Sequence, residues 1–434
     1  MTRKYVFTGI GVSANEDSYQ AAKEAAKEAR DKCGKEPIFS IVYVDSKYNP
    51  EQVNIGIKEV LQNNWIGCST DTQFTNTHGY KDRCISVFCI FSQYLHFSVG
   101  VVDNYRENPL KAGEQAIIRA MQDIKIDSYI DPYLQFKRTQ TKSFSDIVRN
   151  PPYFILTLLS GAKYIDGKPV PGMETEFLEG IYNITGPNIP IIGASASTNF
   201  EEYKKFIGNN FQFANGNVYY NSGIAVFVVS NLYFSYTLLH GYTKTDKVAL
   251  LTKLDQTGHL IKEINGRSAV DEYSRLLGVS KDEFLKNPFF YTLSRPIGLI
   301  DPTGTLYIKE AVPSSDGETM YSLCKLLENS AINIVNYSPQ ATLTTIVDSI
   351  SEGVLLNNFS GEIGFALIFS CCGRKALLGT DVSSEINEVT KKFVDLPFCG
   401  FHSFGEIGAR PNRPSQAVNQ SVSTLIVFDR LLTE

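Results

Sequence analysis

Short, continuously apolar runs recur along the chain. Each is followed by a polar bend and then by a stretch whose apolar residues fall three and four apart. Residues 38–44 (IFSIVYV) predict a buried strand, and Asp45, Ser46 and Asn49 a polar bend. Pro50 opens a helix whose Val53, Ile57, Val60 and Leu61 share one face. A short strand ending in WIGCST follows, and residues 84–91 give another. The same order returns at residues 153–159 (YFILTLL). A bend carries Ser160, Gly161 and Pro171; a helix groups Phe177, Leu178 and Ile181; residues 190–192 lead into GASAST; a strand covers 223–229. A third copy starts at residues 364–369, bends at SCCGR, and continues as a helix over 381–394 with Ile386, Val389 and Phe393 together. It then runs through residues 396–399 into GFHSFGEIG and ends on a strand at 422–428.

The repeat predicts an α/β fold: βαβ-type units forming mixed sheets flanked by helices, in two halves. Residues 18–33 read as an alanine-rich helix with Asn15, Asp17 and Ser18 as candidate caps, and residues 110–121 as another helix. Residues 127–150 are polar, and the break at Asn150-Pro151-Pro152 separates two units, about 1–125 and 150–241. After Gly241 the pattern changes. Residues 248–255 and 259–265 read as a hairpin and 268–277 as a helix; the strands 297–301 and 305–310 flank the turn Pro302-Thr303-Gly304. The domain boundary is placed near residue 241, with 1–241 as the first domain and 242–434 as the second.

Composition narrows the function. The 434 residues are 43% apolar and 20% charged, which excludes a mainly disordered chain. A formal net charge of -5 lacks the positive excess that phosphate binding needs, so nucleic acid is not an expected partner. The longest apolar runs, 85–91 and 224–230, are far shorter than the roughly 20 residues of a membrane span, so no membrane insertion is expected. The N-terminal MTRKYVFTGIGVS does not read as a signal peptide. Eight scattered cysteines without a CxxC pair fit a reducing, cytoplasmic setting.

Loops at the carboxyl ends of strands are where open α/β sheets bind ligands. Three such loops carry hydroxyls: Ser69 and Thr70, Ser195 and Ser197, and Ser403. Ser370, Cys371, Gly373 and Arg374 follow the first strand of the third copy. Arg374 suits a two-pronged contact with a carboxylate, and Glu406 suits an amine, so together they fit a zwitterion; the plainer alternative pairs each with the other or with solvent. Ser69 and Ser195 lack the second glycine of a nucleophile elbow, and Gly9-x-Gly11 lacks the third glycine of a dinucleotide fingerprint. No two histidines stand at metal-ligand spacing. His402 and His240 remain as single candidate ligands to a haem.

These residues carry a family resemblance. FSCCGR at 369–374, Glu385 and Glu388 in the following helix, GFHSFGEIG at 400–408 and VNQS at 418–421 resemble the C-terminal signature of the FIST sensory domain. GCSTDTQF at 67–74 resembles its N-terminal signature. In the first loop Thr72 and Gln73 replace the family's glycine and glutamate; His402 replaces an aromatic and Val418 a histidine. The resemblance implies a FIST N half and a FIST C half. It also implies a small ligand, with amino acids proposed, and ligand contacts at Cys371, Arg374, Glu406, Asn419 and Gln420. The expectation is therefore a soluble, non-enzymatic sensor without a cofactor. It would hold an amino acid or similar small carboxylate between the halves, using Ser69, Thr70, Ser195, Ser370 and Ser403 as well, and signal through a protein partner. The alternatives are a protein-interaction scaffold, as in the FIST module of F-box proteins, a haem-based nitric oxide sensor, and a hydrolase.

Overall fold

Three copies of one unit build the core: strand, helix, strand, helix, strand, hairpin, strand. The computed structural model describes residues 4–62, 64–122, 124, 152–165, 168–205, 210–356 and 362–432; the polar stretch 127–150 and the break at 150–151 lie outside them. The first unit runs from Phe7–Ser13 to Ile85–Phe91, the second from Leu95–Asp103 to Ser222–Ser230, and the third from Leu232–His240 to Ser421–Leu431. The third is interrupted after its opening strand. Residues 242–337 form an inserted domain, whose eight-stranded sheet includes the hairpin Val248–Leu254 and Leu260–Ile264.

Each unit makes one mixed six-stranded sheet with the same order: opening, closing, first and second strand, then a hairpin donated by another unit. Only the first and second strands run parallel: Phe39–Asp45 with Asn64–Thr70, Tyr153–Leu159 with Ile191–Ser195, Ile363–Cys371 with Phe398–Ser403. The hairpin exchange is cyclic. Gln212–Ala214 of the second unit pairs with Asn64–Thr70 of the first, Glu406–Gly408 of the third with Ile191–Ser195 of the second, and Gln73–Thr75 of the first with Phe398–Ser403 of the third. The core is thus closed on itself about a pseudo-threefold axis.

Local chemistry explains the elements. Asp17 caps the first helix by accepting from the Gln20 N–H at 2.8 Å, and Asn49 caps the second in the same way from Gln52. Ala21, Ala22, Ala25, Ala26 and Ala29 are fully buried on one helix face. Such small side chains let the helix lie directly on the opening strand: a Cβ at Gly11 would stand 2.0 Å from the Ala25 carbonyl oxygen. Gly9-x-Gly11 is therefore a packing device. One helix pair covers the outer face of each sheet, and the three inner faces meet in a shared apolar core that includes Phe39, Tyr43, Phe154, Leu158, Phe369 and Phe401.

Candidate functional site

Strand register aligns the three hydroxyl loops. Gly67 lies opposite Val42, Gly193 opposite Thr157 and Gly400 opposite Ile368. A Cβ at any of the three would stand 2.0–2.4 Å from that neighbour's carbonyl oxygen, so close strand approach demands the glycine. The residues that follow meet at the axis. Ser69 Oγ donates to the Ser197 carbonyl at 2.8 Å, and Ser197 Oγ to the His402 carbonyl at 2.6 Å. The Asp71 N–H donates to Ser197 Oγ, the His402 N–H to the Thr72 carbonyl, and the Ser195 N–H to the Gly405 carbonyl. Residues 67–70, 193–198 and 400–406 are thus laced together, and their hydroxyls are spent mainly on the lacing. Thr70 Oγ1 donates to the Val44 carbonyl, and Ser195 Oγ to Glu174.

The hairpins reveal a second equivalence. Gln73 pairs with Phe401, Gln212 with Cys68 and Glu406 with Ala194, all at the same place in the register. Each side chain reaches back to the start of its own closing strand. Gln73 Oε1 accepts from Ser86 and Cys84, Gln212 Oε1 from the N–H and Oγ of Ser222, and Glu406 Oε2 from the Ser421 N–H. Gln73 therefore occupies in the first unit the place that Glu406 holds in the third. The carboxamides supply a neutral acceptor there. Glu406 is wholly buried and takes its other bond from Ser403 Oγ at 2.6 Å; burial pushes its pKa up to about 8.

Arg374 is wholly buried. Its guanidinium donates to Glu385, to the Thr342 carbonyl at 2.8 Å and to Ser370 Oγ at 2.5 Å. Its partner is thus the acidic helix that follows it, and Glu406 is held separately. The adjacent Lys375 bolts the third unit to the first through Asp71 at 2.9 Å.

Other predicted residues converge with side chains that the linear pattern did not single out. A pocket lies between the core and the inserted domain. Cys371, Cys372, Gly373, Ser403 and Phe404 line it from the third unit, Ala162, Phe200 and Tyr203 from the second, and Phe289, Glu310, Val312 and Leu323 from the insertion. It leaves about 20 Å³ for the centres of water molecules, room for roughly one ordered water. Among the described residues that line it, Glu310 alone is charged. Gln420 Nε2 donates to Glu310 Oε2 at 2.8 Å, Tyr242 donates to Gln420 Oε1 at 3.1 Å, and Asn419 Oδ1 accepts the Glu310 N–H at 3.0 Å. Burial raises the Glu310 pKa to about 7, opposed by the Gln420 bond. The signal for Glu310 in the sequence was a charged pair, Lys309-Glu310, set inside an apolar run. The aromatics Phe200, Tyr203 and Phe289 carried no such mark.

His402 and His240, the candidate haem ligands, are both packed into the fold. The His402 ring is buried edge-on against Phe74 and Tyr80, and burial drives its pKa well down. His240 bonds through Nε2 to the Leu306 carbonyl, and its Nδ1 accepts the Tyr242 N–H. Among the described residues no three His, Cys, Asp or Glu side chains converge as a metal site, and no helix is long and apolar enough to cross a membrane.

No curated protein matches this chain. Among solved structures, a cyanuric acid hydrolase from A. caulinodans aligns at 8% identity over 52% of this chain and 71% of its own, with a TM-score of 0.25. PurLQS from Thermotoga maritima aligns at 8% identity over 98% and 73%, with a TM-score of 0.20. Neither overlap is close enough to transfer a residue. Family profiles are decisive: that of the FIST N domain matches residues 38–267 and that of the FIST C domain residues 269–409. With most of its length so matched, the chain belongs to the FIST family of small-ligand sensory domains.

Proposed function

We propose that the protein is a non-enzymatic sensor that holds one small ligand in the pocket between its three-unit core and its inserted domain, and signals through a protein partner. The carrying observation is that two bodies share the pocket: Ser403 and Phe404 belong to the core, Phe289, Glu310 and Leu323 to the insertion. A ligand touching both biases their relative position, which converts occupancy into a shape change. The insertion is also held to the second unit by polar contacts, His259 with Glu176 at 3.2 Å and Lys325 with Glu179 at 3.1 Å. The partly exposed Lys325–Glu179 pair contributes little and can yield, whereas His259 is buried. Because the pocket has space for about one water, a larger guest must displace an aromatic wall or the insertion itself. An amino acid would find Glu310 for its ammonium group, while its carboxylate would have to face the mouth, since Arg374 is committed to Glu385. Buried free cysteines throughout the described chain support a reducing, intracellular site of action.

The test is a thermal-shift screen of the full chain against amino acids, small carboxylates, amines and polyols, with Leu323→Trp as a variant whose pocket is filled. At least one class should raise the unfolding temperature of the unaltered chain and leave Leu323→Trp unmoved. A screen in which no class stabilises the protein would sink the sensor reading.

A further inference from the structure

Resting on that reading of the pocket, we infer that its ligand is a small cationic amine lacking a carboxylate, seated on Glu310 between aromatic faces. Glu310 is 5% exposed and lines the pocket. One carboxylate oxygen, Oε2, accepts from Gln420, and the carboxylate makes no ion pair with a described cation. Its sequence neighbour Lys309 donates to the Ala417 carbonyl and makes no ion pair with a described acid, and Arg374 is spent on Glu385. A second carboxyl stands one layer behind: Ser403 lines the pocket and its hydroxyl is anchored on Glu406. In the quasi-equivalent niches this place is filled by an amide, Gln73 or Gln212. Glu310 of the insertion and Glu406 of the third unit thus lie at the pocket and one layer behind it, and neither makes an ion pair with a described cation.

A buried carboxylate without a countercharge is costly, and an incoming ammonium supplies both that charge and further donors. A carboxylate guest would bring like charge against Glu310, and a neutral guest would leave it unpaired. The walls agree with this choice. Phe200 and Phe289 meet edge to face with ring centroids 6.1 Å apart, and Tyr203 and Phe404 lie 4.6 Å apart. Aromatic faces attract alkylammonium groups and solvate their methylenes.

Three near-isosteric probes discriminate: ethylammonium chloride, sodium acetate and ethanol, titrated at matched ionic strength against the full chain with unfolding temperature as readout. Ethylammonium alone should stabilise, saturably. The isosteric Glu310→Gln should weaken its apparent affinity at least about tenfold, Glu310→Asp should retain part of it, and Leu323→Trp should abolish it. Equal stabilisation by acetate or ethanol, lost in Leu323→Trp, would overturn the amine assignment while leaving the pocket reading intact. An ethylammonium effect that survives Glu310→Gln or Leu323→Trp, or no effect at all, would overturn it outright. If Glu310→Gln does not fold, the comparison of Glu310→Asp with Leu323→Trp decides between the same outcomes.

Discussion

Arg374 and Glu385 form an ion pair in the interior, eleven positions apart in the chain and both essentially without solvent contact. The arginine of the FSCCGR motif therefore fastens the short helix Cys372–Leu378 to the helix Val382–Lys392, and the Thr342 carbonyl adds the helix Pro339–Leu355 to the same knot. Removing one partner of such a pair strands a buried charge. Arg374→Ala should cost roughly 3–5 kcal/mol of stability, whereas Arg374→Met with Glu385→Leu should recover much of that loss. Urea denaturation of the unaltered chain and the two variants checks this. A loss below about 1 kcal/mol for Arg374→Ala, the level of a surface pair, would mean the pair is not the buried brace described.

The contribution of Glu310 and Glu406 to stability should fall as pH rises from about 5 to about 8, against the opposite slope of His402 and His240, whose pKa values burial lowers. Burial raises the carboxyl pKa of Glu310 to about 7 and that of Glu406 to about 8 from the ordinary 4.5. In that window the folded chain holds protons that the unfolded chain has released, so deprotonation favours unfolding. The stabilisation is complete below the ordinary pKa and is lost on passing through the raised values. It amounts to roughly 3 kcal/mol for Glu310 and somewhat more for Glu406. Glu310→Gln and Glu406→Gln should each flatten the profile, and Glu406→Gln should be well tolerated, since Gln73 and Gln212 already do its work elsewhere. Unfolding midpoints between pH 5 and pH 9 provide the check; a profile unchanged by either substitution contradicts the assignment.

Legibility followed the range of the interactions. The continuous apolar runs at Phe39–Asp45, Tyr153–Leu159 and Ile363–Cys371 and the amphipathic helices after them were readable, because burial on both sheet faces and on one helix face leaves different periods. The glycine and serine loops were readable as repeated features. What they do was not, because the bond from Ser69 to Ser197 spans two units. The opening strands were harder. Leu95–Asp103 and Leu232–His240 sit at sheet edges with mixed burial, and nothing local assigns them to the unit that follows. The exchanged hairpins have arms of three residues, such as Gln73–Thr75, and their partners lie in another unit. Arg374 stood out as a charge, but its partner depends on how two helices fold back on each other. The aromatic wall is composed of residues that any core would also use.

The pseudo-symmetry itself makes a graded forecast for three glycines. A Cβ at Gly11 would lie 2.0 Å from the Ala25 carbonyl, and one at Gly100 would lie 1.9 Å from the Ala116 carbonyl. Both clashes are with helix backbone, so the whole helix must lift. In the third unit the close approach is made from the helix side, at Gly353, where a Cβ would meet Ile426 Cδ1 at 2.6 Å and Ser235 Oγ at 3.0 Å. Those are side-chain ends and can rotate. Gly11→Ala and Gly100→Ala should therefore each destabilise by about 1–3 kcal/mol, and Gly353→Ala by less. Chemical denaturation measures all three, and a larger loss at Gly353 than at the other two would contradict the packing argument.

Amine binding at Glu310 should release protons. With its pKa raised to about 7, the carboxyl is partly protonated at neutral pH. An ammonium group stabilises the ionised form, so binding must expel the fraction of a proton still present. The groups around Glu310 are Gln420, Tyr242 and Tyr273, together with the Cys371 thiol, whose pKa burial raises well above the ordinary range. None of these is ionised near pH 7, so the release belongs to the carboxyls, Glu310 and behind it Glu406. Calorimetric titration with ethylammonium chloride in phosphate and in Tris should give enthalpies that differ in proportion to the buffers' ionisation heats. The released fraction should shrink as pH rises past about 8 and both carboxyls ionise, and the part due to Glu310 should vanish in Glu310→Gln. Buffer-independent heats at pH 7 would show that the ammonium does not sit on a protonated carboxyl.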